Sequence, residues 1–162
     1  MNWMKKVAVA LVCLLPLGLQ AAKVDTLQVK SPSMNKSIEV VVVSPDVAAT
    51  KACPVIYLLH GYGGNARTWV GIKPDLPKIA DEKGIFFVCP DGKNTWYWDS
   101  PLNADVRYET FISNELVKYV DSHYKTVADR KGRAITGLSM GGHGAMWNGL
   151  RHSCLLYTSP SP

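Results

Sequence analysis

The 162-residue chain has no apolar run long enough to cross a bilayer comfortably. Its longest, 13 residues from Val7 to Leu19, is interrupted by Pro16. It also lacks any cluster of basic residues. Acidic and basic side chains alternate, and the formal net charge of +5 falls to +3 once Lys5 and Lys6 are removed. A nucleic-acid face needs a concentrated positive patch, so nucleic acid is not expected as a partner. No His, Cys and Asp residues fall at metal-ligand spacing, and neither a metal nor an organic cofactor is implied. Internal repeats and low-complexity segments are missing from the body of the chain, which argues against a repeat array. Finally, no Asp or Glu follows Asp129.

What is present reads as one globular domain, with 47% hydrophobic and 19% charged residues. At the N-terminus, Lys5 and Lys6 precede the apolar run, and Gln20, Ala21 and Ala22 follow it. That layout is expected for a secretory signal over residues 1–22, cleaved after Ala21 or Ala22, with a secreted or periplasmic product. Cys13 lacks the small preceding residue that lipoprotein processing requires, so no stable membrane anchor is expected. Export permits a Cys53–Cys89 disulfide, but these residues are expected at opposite ends of parallel neighbouring strands, roughly 15–20 Å apart. A disulfide tolerates about 7 Å between Cα atoms, so two free thiols are expected.

Two β-rich segments, Thr26–Val29 and Ile38–Val43, flank a turn-like "SPSMNKS" and predict an antiparallel pair. "PVIYLLHG" (Pro54–Gly61) is a continuous apolar run, as expected of a strand buried on both faces. A helix is predicted near Asp75–Lys83, with Asp75 as cap and Gly84 as stop. "GIFFVCPDG" then predicts a second buried strand. Tyr108, Phe111, Ile112, Leu116, Tyr119 and Val120 recur at helical spacing over some four turns. "GRAITGLS" predicts a third buried strand and "GGHGAMWNGL" a further helix. Strand and helix alternating in this way predict an α/β domain with a mostly parallel sheet.

"GLSMG" (Gly137–Gly141) spells Gly-x-Ser-x-Gly. Alone the pattern is weak, but here it sits where a buried strand ends and a helix begins. That is the setting of a nucleophile elbow, in which a sharp turn lifts a serine hydroxyl above the sheet. Gly137 and Gly141 are expected to supply the clearance, with Gly142 adding more. "HGYGG" (His60–Gly64) follows the first buried strand, where half of an oxyanion hole is expected. Ser139 is therefore the candidate nucleophile, and the Tyr62 and Met140 amides are the candidate oxyanion donors. His60, with Gly61, is expected to fix the loop and not to act as base.

"LLHGYGGNARTW", "PDGKNTWYWDSP", "YETFISNELVKYVD" and "GLSMGGHGAM" together resemble the esterase D group of α/β-hydrolases. That group includes tributyrin-type acetylesterases, feruloyl and acetylxylan esterases, S-formylglutathione hydrolases and mycolyltransferases. The resemblance covers Val24–Leu150. It implies an α/β-hydrolase fold and a serine carboxylic ester hydrolase acting through an acyl-enzyme, on a small-molecule or carbohydrate-linked ester. Export argues against S-formylglutathione as substrate. An acyltransferase of the mycolyltransferase type and a non-catalytic binding module on the same scaffold are the alternatives. In "NTWYWDSP", Trp96, Tyr97 and Trp98 either wall a substrate pocket or pack the loop onto the sheet. Asp91 and Asp99 are expected to form turns.

In this fold the triad runs serine, acid, histidine along the chain. Only His143 and His152 follow Ser139, and neither is placed to serve: His143 belongs to the elbow's own helix, and His152 lies roughly 20 Å along it. His123 is expected to be solvated or capping. The tail "CLLYTSPSP" (Cys154–Pro162) resembles the translated transposon-end adapter of sequencing libraries. Residues 23–153 are accordingly expected to be the N-terminal part of a single hydrolase domain, truncated after the elbow helix. A chain lacking the further strands is expected to leave Ala134–Gly137 as an open edge, to aggregate, and to lack turnover.

Overall fold

The computed structural model describes residues 22–158. Apart from Ala22, the stretch expected to be a signal lies outside the described residues, as do the last four residues of the tail. Two nine-residue strands, β1 (Lys23–Ser31) and β2 (Lys36–Ser44), pair antiparallel from Lys23↔Ser44 to Ser31↔Lys36. The apolar pattern marked only their middles, because backbone pairing carries the ladder on through polar residues at both ends.

β3 (Val55–Leu59), β4 (Phe86–Pro90) and β5 (Arg133–Gly137) form the parallel centre, with β3 between the other two. β2 joins β4 antiparallel. A last short strand, β6 (Tyr157–Thr158), pairs parallel with Ala134 and Ile135 of β5, so the sheet order is β1-β2-β4-β3-β5-β6. This corrects the expected open edge at Ala134 and Ile135, while Thr136 and Gly137 have no partner on that side among the described residues. After the last helix the chain returns to the unpaired backbone of β5, and Leu156 enters the core at 1% exposure.

On the helices, α1 (Thr68–Ile72) precedes α2 (Leu76–Lys83). Asp75 occupies the cap position of α2 but makes no side-chain cap bond. Its carboxylate instead takes the Lys73 ammonium at 2.8 Å, which corrects the expected role. Gly84 does end the helix, at φ 64°, a conformation glycine adopts without strain. α3 (Tyr108–Thr110) continues through a π-helical stretch (Phe111–Leu116) into α4 (Val117–His123), one rod of the expected extent. Its wider central turns have no counterpart in the apolar spacing. α5 (Met140–Arg151) follows β5 after two residues.

Side chains alternate across a strand, and the central strands are buried on both faces. Tyr57, Leu59, Val88 and Ile135 face Phe111, Ile112, Leu116 and Val120 of the rod and Met140 of α5. On the other face, Leu58, Phe87 and Cys89 meet Leu76 and Ala80 of α2. Cys53 belongs to the first core and Cys89 to the second, and both thiols are free, as expected.

The Tyr57 hydroxyl is buried without a hydrogen-bond partner among the described residues. An unpaired buried hydroxyl costs free energy. Tyr57→Phe is therefore expected to leave the thermal midpoint unchanged or raise it, by up to about 1 kcal/mol of stability. A clear loss in a thermal melt would show that the hydroxyl has a partner.

Candidate active site

β5 and α5 are joined by Leu138 and Ser139 alone. Ser139 sits at φ 54° and ψ −115°, a sparsely populated backbone region for a residue with a side chain. Three hydrogen bonds hold it there. Leu138 N–H donates to Leu59 O at 3.1 Å, Gly141 N–H to Leu138 O at 2.8 Å, and His143 N–H to Ser139 O at 3.1 Å. Clearance is as important as bonding. A Cβ on Gly137 would lie 2.3 Å from the Gly141 carbonyl carbon, and one on Gly141 would lie 2.2 Å from Leu59 O. Gly142 would meet only ordinary contacts, so the expected need for glycine there is not met.

The loop after β3 touches the elbow. A Cβ on Gly61 would lie 3.2 Å from Leu138 O and 3.5 Å from Ser139 Cβ. The loop curls through Gly64 N–H to Gly61 O at 3.0 Å, and Gly63 N–H donates to Asn94 Oδ1 at 2.7 Å. Ser139 is exposed. Among the described residues, its hydroxyl makes no hydrogen bond, and the Tyr62 and Met140 amides have no acceptor. An exposed, unbonded hydroxyl and two free amides thus lie on adjoining segments.

His60 is buried, at 1% exposure, with Nδ1 2.7 Å from Gly61 O and Nε2 3.0 Å from the Gly92 amide. Gly61 O can only accept and Gly92 N–H can only donate, so the ring is neutral with its hydrogen on Nδ1. It ties the β3 loop to the β4 loop. Asp91 lies 3.5 Å from Nε2 and takes the Lys93 ammonium at 2.6 Å and the Lys93 amide at 2.9 Å. Burial pushes the Asp91 carboxyl up, but the Lys93 ammonium and amide outweigh it and bring it to about 2. Since the Nε2 lone pair already serves Gly92, the His60 ring has no hydrogen to give Asp91. The neighbouring Cys89 thiol is pushed by burial up to about 12, which removes it as a nucleophile at neutral pH.

A family described as "Putative esterase" matches residues 31–157, most of the chain. The chain belongs to that esterase family. It is 32% identical over 99 residues to an acetyl esterase of Caldicellulosiruptor saccharolyticus, covering 60% of this chain and 36% of that one. It is 30% identical over 126 residues to Esterase Rv1288 of Mycobacterium tuberculosis, covering 74% and 27%. Among solved structures, a ferulic acid esterase superposes with a TM-score of 0.73 at 31% identity, over 85% of this chain and 58% of that one. An S-formylglutathione hydrolase from Agrobacterium tumefaciens has a TM-score of 0.75 at 24% identity, over 84% and 56%, which shows the shared α/β-hydrolase fold alone. The chain thus spans about a third of the curated relatives it matches.

In this chain the tryptophan-rich loop divides by residue. Tyr97 is fully buried, with φ 60°, immediately after Trp96 at φ 57°. Its hydroxyl donates to His60 O at 3.1 Å, and its own carbonyl accepts from Asn148 Nδ2 at 3.0 Å. Its ring fills the space above Gly92 and Gly144, where added Cβ atoms would lie 2.0 and 2.5 Å from ring carbons. Tyr97 is therefore a wedge between loop and elbow helix and does not wall a pocket, which corrects one of the two readings open for it. Trp96 and Trp98 remain 43% and 42% exposed. Asp99 takes the Thr110 amide at 3.0 Å and hydroxyl at 2.6 Å, and so shapes the entry to α3 as a turn former should.

No histidine side chain forms a hydrogen bond to Ser139 among the described residues. His143 packs against Trp96 and Trp98, and His123 stacks on Tyr119. His152 Nε2 lies 2.9 Å from Glu109 Oε1. Glu109 escaped the sequence reading: nearly buried on α3, it also takes Arg151 Nε and Trp147 Nε1, each at 2.7 Å. Burial pushes its carboxyl up, and the donors Arg151, Trp147 and His152 outweigh it, so the carboxyl is lowered. The available signal was a pair of donors, Trp147 and Arg151, one turn apart on α5.

Gly141→Ala is expected to destabilise the fold by about 3 kcal/mol or more, since backbone is what its Cβ would strike. Gly142→Ala should cost far less, and parallel denaturant titrations would separate them. Asp91 has a folded pKa below its ordinary 3.8, so its contribution is present above about pH 4 and is lost as pH falls toward about 2. Asp91→Asn should flatten that limb of the stability profile, worth roughly 2 kcal/mol.

Proposed function

We propose that the full-length protein is a serine carboxylic ester hydrolase working through an acyl-enzyme. The observation that carries this is the Ser139 turn. A serine in a strained conformation, with a free hydroxyl, adjoins a loop whose Tyr62 amide is free and precedes the free Met140 amide. Ser139 Oγ attacks the ester carbonyl, and the developing oxyanion takes the Tyr62 and Met140 N–H groups. The alcohol leaves, and water then attacks the acyl-enzyme to release the acid. Membership in the esterase family and the relatives named acetyl esterase and ferulic acid esterase support a short acyl or feruloyl ester as substrate.

A base must take the serine proton and then give it to the leaving alcohol. His60, His123, His143 and His152 are each engaged elsewhere, so the base and its carboxylate are assigned to sequence beyond this chain. The 162-residue chain alone is accordingly expected to be inactive. Export, as the N-terminal residues suggest, would place the enzyme among extracellular or periplasmic esters.

In the full-length enzyme, Ser139→Ala should lower kcat for p-nitrophenyl acetate by roughly 10⁴-fold or more, with KM little changed. The 162-residue chain should show no Ser139-dependent turnover. Full activity in the full-length Ser139→Ala variant would overturn the proposal. A sugar acceptor added to the assay separates hydrolysis from acyl transfer by its products.

A further inference from the structure

Far along the chain from the elbow, one carboxylate gathers both strands of the outer hairpin at its open end. Asp81 of α2 accepts the Ala22 N–H on Oδ2 at 2.7 Å and the Asp46 N–H on Oδ1 at 2.9 Å. Ala22 stands immediately before β1, whose pairing begins at Lys23↔Ser44, and Asp46 follows the end of β2. Ala22 itself is buried, at 9% exposure, and joins Val43, Ala80 and Phe87 in the second core. The corner lacks a cation. Asp46 brings a second carboxylate to it, and neither acid pairs with a lysine, arginine or histidine among the described residues. The ammonium of Lys23, next in the chain, goes to Asp25 at 3.0 Å.

The sequence upstream names a cation that fits. Lys5 and Lys6, the apolar run Val7–Leu19 and the small pair Ala21 and Ala22 have the layout of a cleaved export signal. A signal peptidase takes a small residue just before the cut and a small or aliphatic one three positions before it. A cut after Ala21 puts Ala21 and Leu19 at those positions, whereas a cut after Ala22 puts Ala22 and the amide Gln20 there. The two cuts also differ in what they leave behind. The first turns the Ala22 nitrogen into an ammonium, at a distance from Asp81 Oδ2 that suits a charged N–H···O bond. Such a bond is roughly twice as strong as one from a neutral amide. The second cut removes Ala22 and takes from Asp81 one of its two donors. Cutting acts on the unfolded chain during export, so burial of Ala22 in the folded domain does not oppose it.

We propose that a signal peptidase cuts between Ala21 and Ala22, and that Asp81 is the receptor for the N-terminal ammonium so created. Hydrolysis adds one water across the Ala21–Ala22 bond, leaving a carboxylate on Ala21 and an ammonium on Ala22. The pairing is independent of the esterase reading and is measured without turnover. The full-length precursor is expressed in an exporting bacterial host, and the exported product is sequenced from its N-terminus. Ala22 is expected as the first residue. A product that begins at Lys23 or at any other residue, or that keeps residues 1–21, would overturn the cut. The ammonium is tested on full-length protein beginning at Ala22, against the same protein with Gly-Ser placed ahead of Ala22. That extension turns the ammonium into an amide, and it is expected to lower the thermal midpoint by about 2–4 °C. Asp81→Asn should lower the midpoint of the Ala22-initiated protein by at least as much, and that of the extended protein by less. Equal midpoints for the two unsubstituted proteins would show that a neutral N–H suffices, and would overturn the ammonium pairing. An equal loss from Asp81→Asn in both would do the same.

Discussion

The backbone of α5 lies against the end of β3 with no side chain between them, and the rest of the site depends on that contact. Gly141 is where they meet: an added Cβ there would sit 2.2 Å from Leu59 O. The Leu138 amide then completes the junction by donating to the same carbonyl. Because β3 and β5 are parallel neighbours, their ends fall side by side, and only a two-residue turn can feed α5 back across the sheet. Ser139 absorbs the geometric cost in its φ of 54°. Strain of this kind persists only where surrounding structure over-determines it. Here the determinants are three hydrogen bonds and two glycine clearances, all within the segment Gly137–His143 and the end of β3.

The turn would still be free to rock if the loops above the sheet were loose, and a buried polar lattice holds them. His60 joins the β3 loop to the β4 loop through Gly61 O and the Gly92 amide. Tyr97 joins the tryptophan loop to His60 O, and Asn148 joins that loop to α5. Each partner in these bonds is neutral, and the buried Asp91 carboxylate stands 3.5 Å from His60 Nε2. The charged groups lie to either side, in the Asp91–Lys93 pair and in the cluster around Glu109. Neutral hydrogen bonds in a buried setting give geometry without setting up a competing field.

Much of this was legible because backbone requirements leave marks in residue type. Three buried strands announced themselves as apolar runs, the elbow as glycines around a serine, and the α2 stop as Gly84. What failed to show was decided by side chains meeting across distance in sequence. Tyr97 carries an aromatic residue's ordinary ambiguity. Only the empty space over Gly92 and Gly144 decides that it is a wedge, while its two tryptophan neighbours face solvent. Glu109 carried no signal along the rod, since its three donors lie some forty positions later. β6 had no periodicity to reveal it: two residues pair there because β5 offers an unfilled edge.

The distribution of parts also bears on how the chemistry divides. Stabilising an oxyanion requires donors fixed in advance, whereas moving the serine proton requires a base with a free lone pair. The first requirement can be met locally, because one strand end, one loop and one helix N-terminus suffice. On the proposed reading, all three lie within Val55–Met140, and they are held by contacts among themselves. The second cannot be met by any of the four histidines. His60 spends both ring nitrogens on backbone, His123 and His152 are bonded to other groups, and His143 serves as an aromatic surface. Re-aiming His60 at Ser139 would leave the Gly92 amide without its partner and Gly61 O with Gly64 N–H alone, and so loosen the loop that supplies a donor on this reading. On that reading the oxyanion donors and the base are structurally independent, and a separate segment can deliver the base without rebuilding the elbow.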